Sequence, residues 1–113
     1  MSERRFRLVW TDVAAGDLLR LVSWVAAESP QDAAALLGRL RKRVGTLATA
    51  PARGRVVPEL AFFGIAILRE VVLRPHGIVY RLEGRTVLIL GVYDGRRELE
   101  DVLLERLTAP SVN

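Results

Sequence analysis

The chain opens on an alternation. Arg5-Phe6-Arg7-Leu8-Val9-Trp10 swaps polar and apolar residues and then turns continuously apolar, the pattern of a β-strand. Thr11 or Asp12 can cap a helix behind it, because a short side-chain oxygen accepts from the free amides of a first turn. Leu18, Leu21, Val22 and Val25 then recur at helical spacing, with Leu19 and Trp24 at the margins of the stripe. This helix is expected to end near Ala27 or Glu28. Ser29-Pro30 is a restart: serine suits the N-cap, and proline suits the first helical position, where its missing N–H would be unpaired anyway. Ala33, Leu36, Leu37, Leu40, Val44 and Leu47 give the second helix, running to about Ala48, its buried face. Arg39, Arg41, Lys42 and Arg43 lie largely off that stripe. The short connection makes the pair an antiparallel hairpin.

Pro51 closes the helical unit. The segment from Ala52 to Ile67 holds Arg53-Gly54-Arg55, Pro58, Leu60, Phe62 and Phe63 without a clear period. It reads as a loop covering one edge of the core, with room for a helical turn. Three β-rich runs follow at about 67–74, 77–83 and 86–93, separated by the turns Arg74-Pro75-His76-Gly77 and Glu83-Gly84-Arg85. Val71, Leu73, Ile78, Tyr80, Leu82, Val87 and Ile89 offer one apolar face to the helices. An Asp94-Gly95 turn then delivers Arg96 and Arg97 to one rim. Glu98 to Leu107 supports a last short helix through Leu99, Val102, Leu103 and Leu107, and the tail 108–113 reads as frayed. The predicted order is β-α-α-β-β-β with a closing helix. That is an α+β fold, a small antiparallel sheet with a helical hairpin packed on one face. The opposite face is left to solvent or to a partner.

A chain of 113 residues fits one domain, 1–113, with its core at about 5–107. Half of it is hydrophobic, which argues against disorder. It contains no cysteine, so neither a disulfide framework nor a thiolate metal site is available. Its one histidine, His76, cannot build a paired-histidine metal site, and no metal or cofactor is expected. Met-Ser-Glu-Arg-Arg-Phe lacks an apolar signal-like run, and no apolar stretch approaches membrane-spanning length. A soluble cytoplasmic protein with no membrane partner is the expectation. The net charge is +4, from 17 basic and 13 acidic residues, and Lys42 is the one lysine. GC-rich coding explains such an arginine bias. So does a need for planar, multidentate donors that grip carboxylate or phosphate. The excess permits nucleic-acid contact without demanding it.

Several runs stand in a specific order. They are Leu8-Val9-Trp10-Thr11, Ser29-Pro30, Pro51-Ala52-Arg53-Gly54-Arg55-Val56-Val57-Pro58-Glu59-Leu60, Leu68-Arg69-Glu70-Val71-Val72, Ile78-Val79-Tyr80-Arg81-Leu82, and Val87-Leu88-Ile89-Leu90 running to Gly95-Arg96-Arg97-Glu98-Leu99. Over roughly residues 5 to 105 the chain resembles the RelE/ParE superfamily, bacterial toxins of type II toxin–antitoxin systems, and stands closer to the ParE branch. The resemblance implies the same β-α-α-β-β-β topology. It implies a cognate antitoxin, ParD-like or similar, whose acidic extended or helical tail wraps the toxin. It also implies one of two activities. RelE-like members cut mRNA in the ribosomal A site, whereas ParE-like members inhibit DNA gyrase and are not known as nucleases.

A metal-free ribonuclease must activate the 2′-hydroxyl, stabilise a phosphorane and protonate the leaving oxygen. RelE-like enzymes resemble one another in a basic residue just before the Ile-Val-Tyr strand, an arginine after the last strand, and a tyrosine or histidine near the C-terminus. Here Arg97, or Arg96, fits the post-strand arginine. The pre-strand position falls on Gly77, the C-terminal one falls near Leu103, and no tyrosine or histidine follows Tyr93. Two roles are empty, so the expectation is a gyrase inhibitor that acts by binding. A ribonuclease would have to use Arg97, Arg81 and His76. Histidine is the side-chain type suited to acid–base work near neutral pH, but a Pro-His-Gly turn better suits an inert exposed residue, with a binding contact next. A third reading is a non-toxic module that still binds the antitoxin.

The surface expected to meet the target or antitoxin comprises Arg69, Arg74, Arg81, Arg96 and Arg97, extended by Arg53 and Arg55. Phe62 and Phe63 are either cover for the core or an apolar anchor. The same arginines fit a solvated sheet face, with Arg96 and Arg97 paired to Asp94, Glu98 or Glu100. Tyr80 and Tyr93 could stack bases but sit on strands where core roles are commoner. Trp10 and Trp24 are assigned to helix–sheet packing.

Overall fold

Thr11 starts the first helix. Its Oγ1 accepts from the Ala14 amide at 3.1 Å and donates to the Ile89 carbonyl at 3.0 Å, while the residue is almost wholly buried. One side chain therefore caps the helix and ties it to the centre of the sheet. Ser29 repeats the device: its Oγ accepts from the Asp32 amide at 3.1 Å, with Pro30 in the first turn. The computed structural model describes residues 5–108, with the side chains of Arg97 and of residues 106–108 outside the description. The order is β1 (Arg7–Trp10), α1 (Asp12–Glu28), α2 (Pro30–Gly45), a 3-10 turn (Thr46–Ala48), β2 (Arg55–Val56), α3 (Pro58–Ala61), β3 (Arg69–Leu73), β4 (His76–Glu83), β5 (Thr86–Asp94) and α4 (Arg96–Thr108). The expected α+β order is present, with β2 and α3 added inside the segment read as a loop. No helix among the described residues is long and apolar enough to cross a membrane.

The sheet order is β1-β5-β4-β3-β2. The hairpins β3–β4 and β4–β5 are antiparallel, as is the β2–β3 pair, while β1 lies parallel to β5. The sheet is therefore mixed, because the α1–α2 hairpin carries the chain away before the later strands return beside β1. A one-residue bulge interrupts β4–β5. Tyr80 pairs with Ile89 and Val79 with Gly91, so Leu90 is the extra residue. The bulge switches which face each following side chain takes. Val92 joins Ile78 and Ile89 against the helices, and Tyr93 turns to the other side.

That other side is not open. On the first face Leu36, Leu40, Val44 and Leu47 pack on Val71, Ile78, Tyr80, Val87, Ile89 and Val92. On the second, Val57 at the start of α3, Leu60 within it, and Leu99, Val102 and Leu103 of α4 pack on Leu68, Val79, Leu88, Leu90 and Tyr93. The expected solvent- or partner-facing sheet surface is thus corrected to a second core. β5 is buried from Val87 to Tyr93, as a strand covered on both faces must be. Trp24 is also corrected. It is 78% exposed, because Leu18, Leu21 and Val25 aim at the sheet and Trp24 lies about 100° round the helix from Val25. Leu19 is likewise exposed, and Trp10 is half-buried against the first core.

Candidate functional site

A carboxylate sits inside the second core. Glu70 of β3 is 1% exposed, in a position where an unpaired charge would be prohibitive. It is fully engaged. Arg55 Nε donates to its Oε2 at 2.8 Å. Arg96 Nη1 donates to Oε1 and Oε2 at 2.9 and 3.1 Å. The Tyr93 hydroxyl donates to Oε1 at 2.5 Å. Arg96 then turns its other edge to Glu59, with Nε to Oε2 at 3.0 Å and Nη2 to Oε1 at 2.5 Å. Its guanidinium also lies 5.9 Å from the Tyr93 ring centroid. Two arginines and two carboxylates close a neutral knot that ties β2, α3, β3, β5 and the first turn of α4 together.

The proton positions follow from this arrangement. Burial, then the hydrogen bond to Glu70 and its charge, raise the Tyr93 hydroxyl well above its ordinary pKa of 10.0. The hydrogen bond to Glu59 raises Arg96, with burial opposing and Glu70 adding to the rise. For Glu59 burial works upward but is outweighed by Arg96, leaving its carboxyl below the ordinary 4.5. Tyr93 reaches Glu70 only because residue 77 is glycine: a Cβ on Gly77 would lie 2.1 Å from the tyrosine Cζ and Oη. The position where RelE-like enzymes carry a basic residue is thus glycine, and an aromatic ring lies over it.

The remaining candidates divide into separate places. Arg53 and Arg74 are exposed, and with Arg43 and Arg55 they border an open groove of about 560 Å³ along β3. Arg69 is half-buried, with Nη1 on the Gly54 carbonyl at 2.8 Å. Arg81 pairs with Glu83, and its buried Nε has no partner. Arg69 and Arg81 line a second groove of about 410 Å³ with Ile67 and Leu82. They do not join Arg96 on an exposed sheet face, because Arg96 faces Glu59 and Glu70 instead. Nor does Arg96 pair with Asp94, Glu98 or Glu100. It lies within α4, which begins two residues earlier than expected, and Glu98 instead accepts from the Asp94 amide at 2.7 Å. The side chain of Arg97 lies outside those described.

His76 is half-buried, its Nε2 3.5 Å from Asp94 Oδ1 across the β4–β5 ladder. Five residues of strand, roughly 16 Å, separate it from Arg81. Phe62 and Phe63 are 84% and 72% exposed and meet edge-to-face at 5.1 Å, so neither covers the core. Tyr80 is wholly buried; it accepts from the Gly54 amide at 2.9 Å and donates to the Pro51 carbonyl at 2.7 Å. Burial raises its pKa, opposed by the Gly54 hydrogen bond and the charge of Arg69. Among the described residues no cluster of three or more His, Cys, Asp or Glu side chains could hold a metal ion. Glu59 and Glu70 were absent from the candidate set. The available signal was one acidic residue inside the β-run Leu-Arg-Glu-Val-Val, which must find partners if that run is buried.

The family described as the ParE toxin of the type II toxin–antitoxin system parDE matches residues 8–99. Among solved structures, the chain is similar to one from the chromosomal ParDE toxin–antitoxin system of P. aeruginosa. That likeness is 21% identical, covers 82% of this chain and 99% of the other, and has a TM-score of 0.67. It is also similar to a chain of the RelBE2 toxin–antitoxin complex of Mycobacterium tuberculosis, at 23% identity, over 82% and 94% of the two chains, with a TM-score of 0.55. Both likenesses concern the fold. No curated protein matches the chain.

Proposed function

The chain belongs to the ParE toxin family of type II toxin–antitoxin systems, and from that premise we propose that it inhibits DNA gyrase by binding and is neutralised by a cognate antitoxin. The observation that carries the reading is the spacing of His76 and Arg81, five residues apart along β4, and the state of Arg96, one of the two arginines that fit the post-strand position, supports it. In a ribonuclease the post-strand arginine must be free to meet a phosphorane. Here Arg96 is held by Glu59 on one edge and Glu70 on the other. The candidate acid–base group His76 and the cation Arg81 stand too far apart along β4 to act on one phosphodiester. Binding needs none of this machinery. It needs exposed charge and apolar anchors, which Arg53, Arg74, Phe62 and Phe63 provide. An acidic antitoxin tail would complement the same cations.

The direct test is a supercoiling assay. Toxin added to gyrase, ATP and relaxed plasmid is expected to block supercoiling in proportion to the toxin present, and co-purified antitoxin is expected to restore it. Undiminished supercoiling at tenfold molar excess of folded toxin would remove gyrase as the target.

A further inference from the structure

The chain carries a net charge of +4, yet one of its grooves is acidic. It is an opening of about 460 Å³ between α1, the end of β5 and α4. Asp17, Asp94, Glu98, Asp101 and Glu105 line it, against one cation, Arg20. Arg20 donates to Asp17 Oδ1 at 2.6 Å, and Asp17 Oδ2 accepts from the Val92 amide at 3.1 Å. His76 stands 3.5 Å from Asp94. Glu98, Asp101 and Glu105 then form a row along α4, and the groove lining holds no second cation to offset them. Like charges three and four residues apart repel and destabilise a helix. A local rule broken without internal compensation is expected where function chooses the residues.

Trp24 stands on the rim, 78% exposed and one turn beyond Arg20. Neither core takes up its indole. Indole is the ring that best attracts a guanidinium or ammonium group across its face. Leu21, Val92 and Val102 add apolar surface along which the stem of an arginine or lysine can lie. Among the described residues no three carboxylates stand close enough to hold a metal ion. From Glu98 to Glu105 the helix rises by about 10 Å. Charges strung out in this way fit successive cations of one extended chain, whose alternate side chains lie about 7 Å apart.

We propose that the groove between α1 and α4 docks an extended segment of the target protein that carries alternate arginines or lysines. One cation stacks on Trp24, and the next meet the carboxylate row of α4. The inference rests on the reading of the chain as an inhibitor that acts by binding gyrase, and it names the chemistry of one contact with that target. An acidic antitoxin tail is repelled here, so this face is distinct from the cationic one.

The test uses a fluorescein-labelled decapeptide of alternating arginine and serine, read by anisotropy on the whole protein. We expect it to bind the parent. Trp24→Ser and Asp101→Lys should each weaken it at least threefold, and the two together at least tenfold, with the unfolding midpoint retained. Glu100→Lys makes the same charge change on α4 outside the groove lining and should alter binding less than twofold. In the supercoiling assay the double variant should need at least tenfold more protein than the parent for the same inhibition, while still co-purifying with the antitoxin. The idea is overturned if the peptide does not bind, if Glu100→Lys matches Asp101→Lys, or if Trp24→Ser binds like the parent. It is overturned too if sedimentation velocity shows parent molecules associating with one another and Asp101→Lys parting them, which would make a second copy the occupant. A parent inert on gyrase whose peptide binding still follows Trp24 and Asp101 defeats only the target assignment. A parent that stops gyrase no better than the double variant does defeats only the groove.

Discussion

Replacing Arg96 with methionine separates a structural knot from a free catalytic cation. The change keeps the aliphatic stem and removes the guanidinium. Glu59 is partly exposed and can recover water, but Glu70 has a side chain with no exposed surface. It would keep Arg55 and Tyr93 and lose two hydrogen bonds from Arg96. Removing one partner of a fully buried ion pair typically costs about 3–5 kcal/mol. The Arg96 side chain is 43% exposed, so water enters the vacated place and the loss should fall to about 2 kcal/mol. For a domain of this size that is a fall of roughly 8 °C in Tm. The assay is urea unfolding followed by far-UV circular dichroism and by tryptophan emission. Glu70→Leu with Arg96→Met removes charge and partner together, and the pair should couple by about 1.5 kcal/mol or more relative to the single changes. A loss below about 0.5 kcal/mol, with additive behaviour in the double variant, is what an ordinary surface arginine would give and would refute the reasoning.

Three further outcomes follow from the same contacts. Gly77→Ala forces a methyl group to 2.1 Å from Tyr93 and should lower stability by about 2 kcal/mol or more in the same unfolding assay; an unchanged midpoint would mean that the ring does not need the space. Tyr93 has a raised pKa in the fold, so its contribution is fully present below the ordinary 10.0 and is lost as pH climbs beyond it. Stability measured upward from pH 9 should therefore fall less steeply in Tyr93→Phe than in the parent, and parallel curves would contradict the shift. Thr11→Val removes the α1 cap and the bond to Ile89, and a loss of about 1–2 kcal/mol in thermal unfolding is expected.

The elements that carry caps and periodicity were legible. Thr11 and Ser29-Pro30 marked both helix starts, and the hairpin turns placed β3 to β5 within a residue or two. The second core was not read, although the run Val-Leu-Ile-Leu-Gly-Val-Tyr has no polar alternate residue and so belongs to a strand buried on both faces. The bulge at Leu90 has no local signature, yet it decides that Tyr93 meets Glu70 and not the helices. Segment 52–67 hid β2 and α3 because two- and four-residue elements carry no period. In the candidate site, the arginines could be named and their partners could not. Arg96 joins Glu59 and Glu70 across 37 and 26 residues, a closure set by tertiary packing alone. Gly77 was read as a missing cation, and its small size turns out to be what admits the aromatic ring.

The claim that this toxin binds its target without breaking phosphodiesters is tested most directly on translating ribosomes. Toxin that has been shown to stop gyrase in the same preparation is added to ribosomes programmed with a defined mRNA, and the message is mapped by primer extension. Full-length extension products at every toxin concentration are predicted, for the parent and for His76→Ala alike. Truncations at the A-site codon that vanish in His76→Ala would contradict the account.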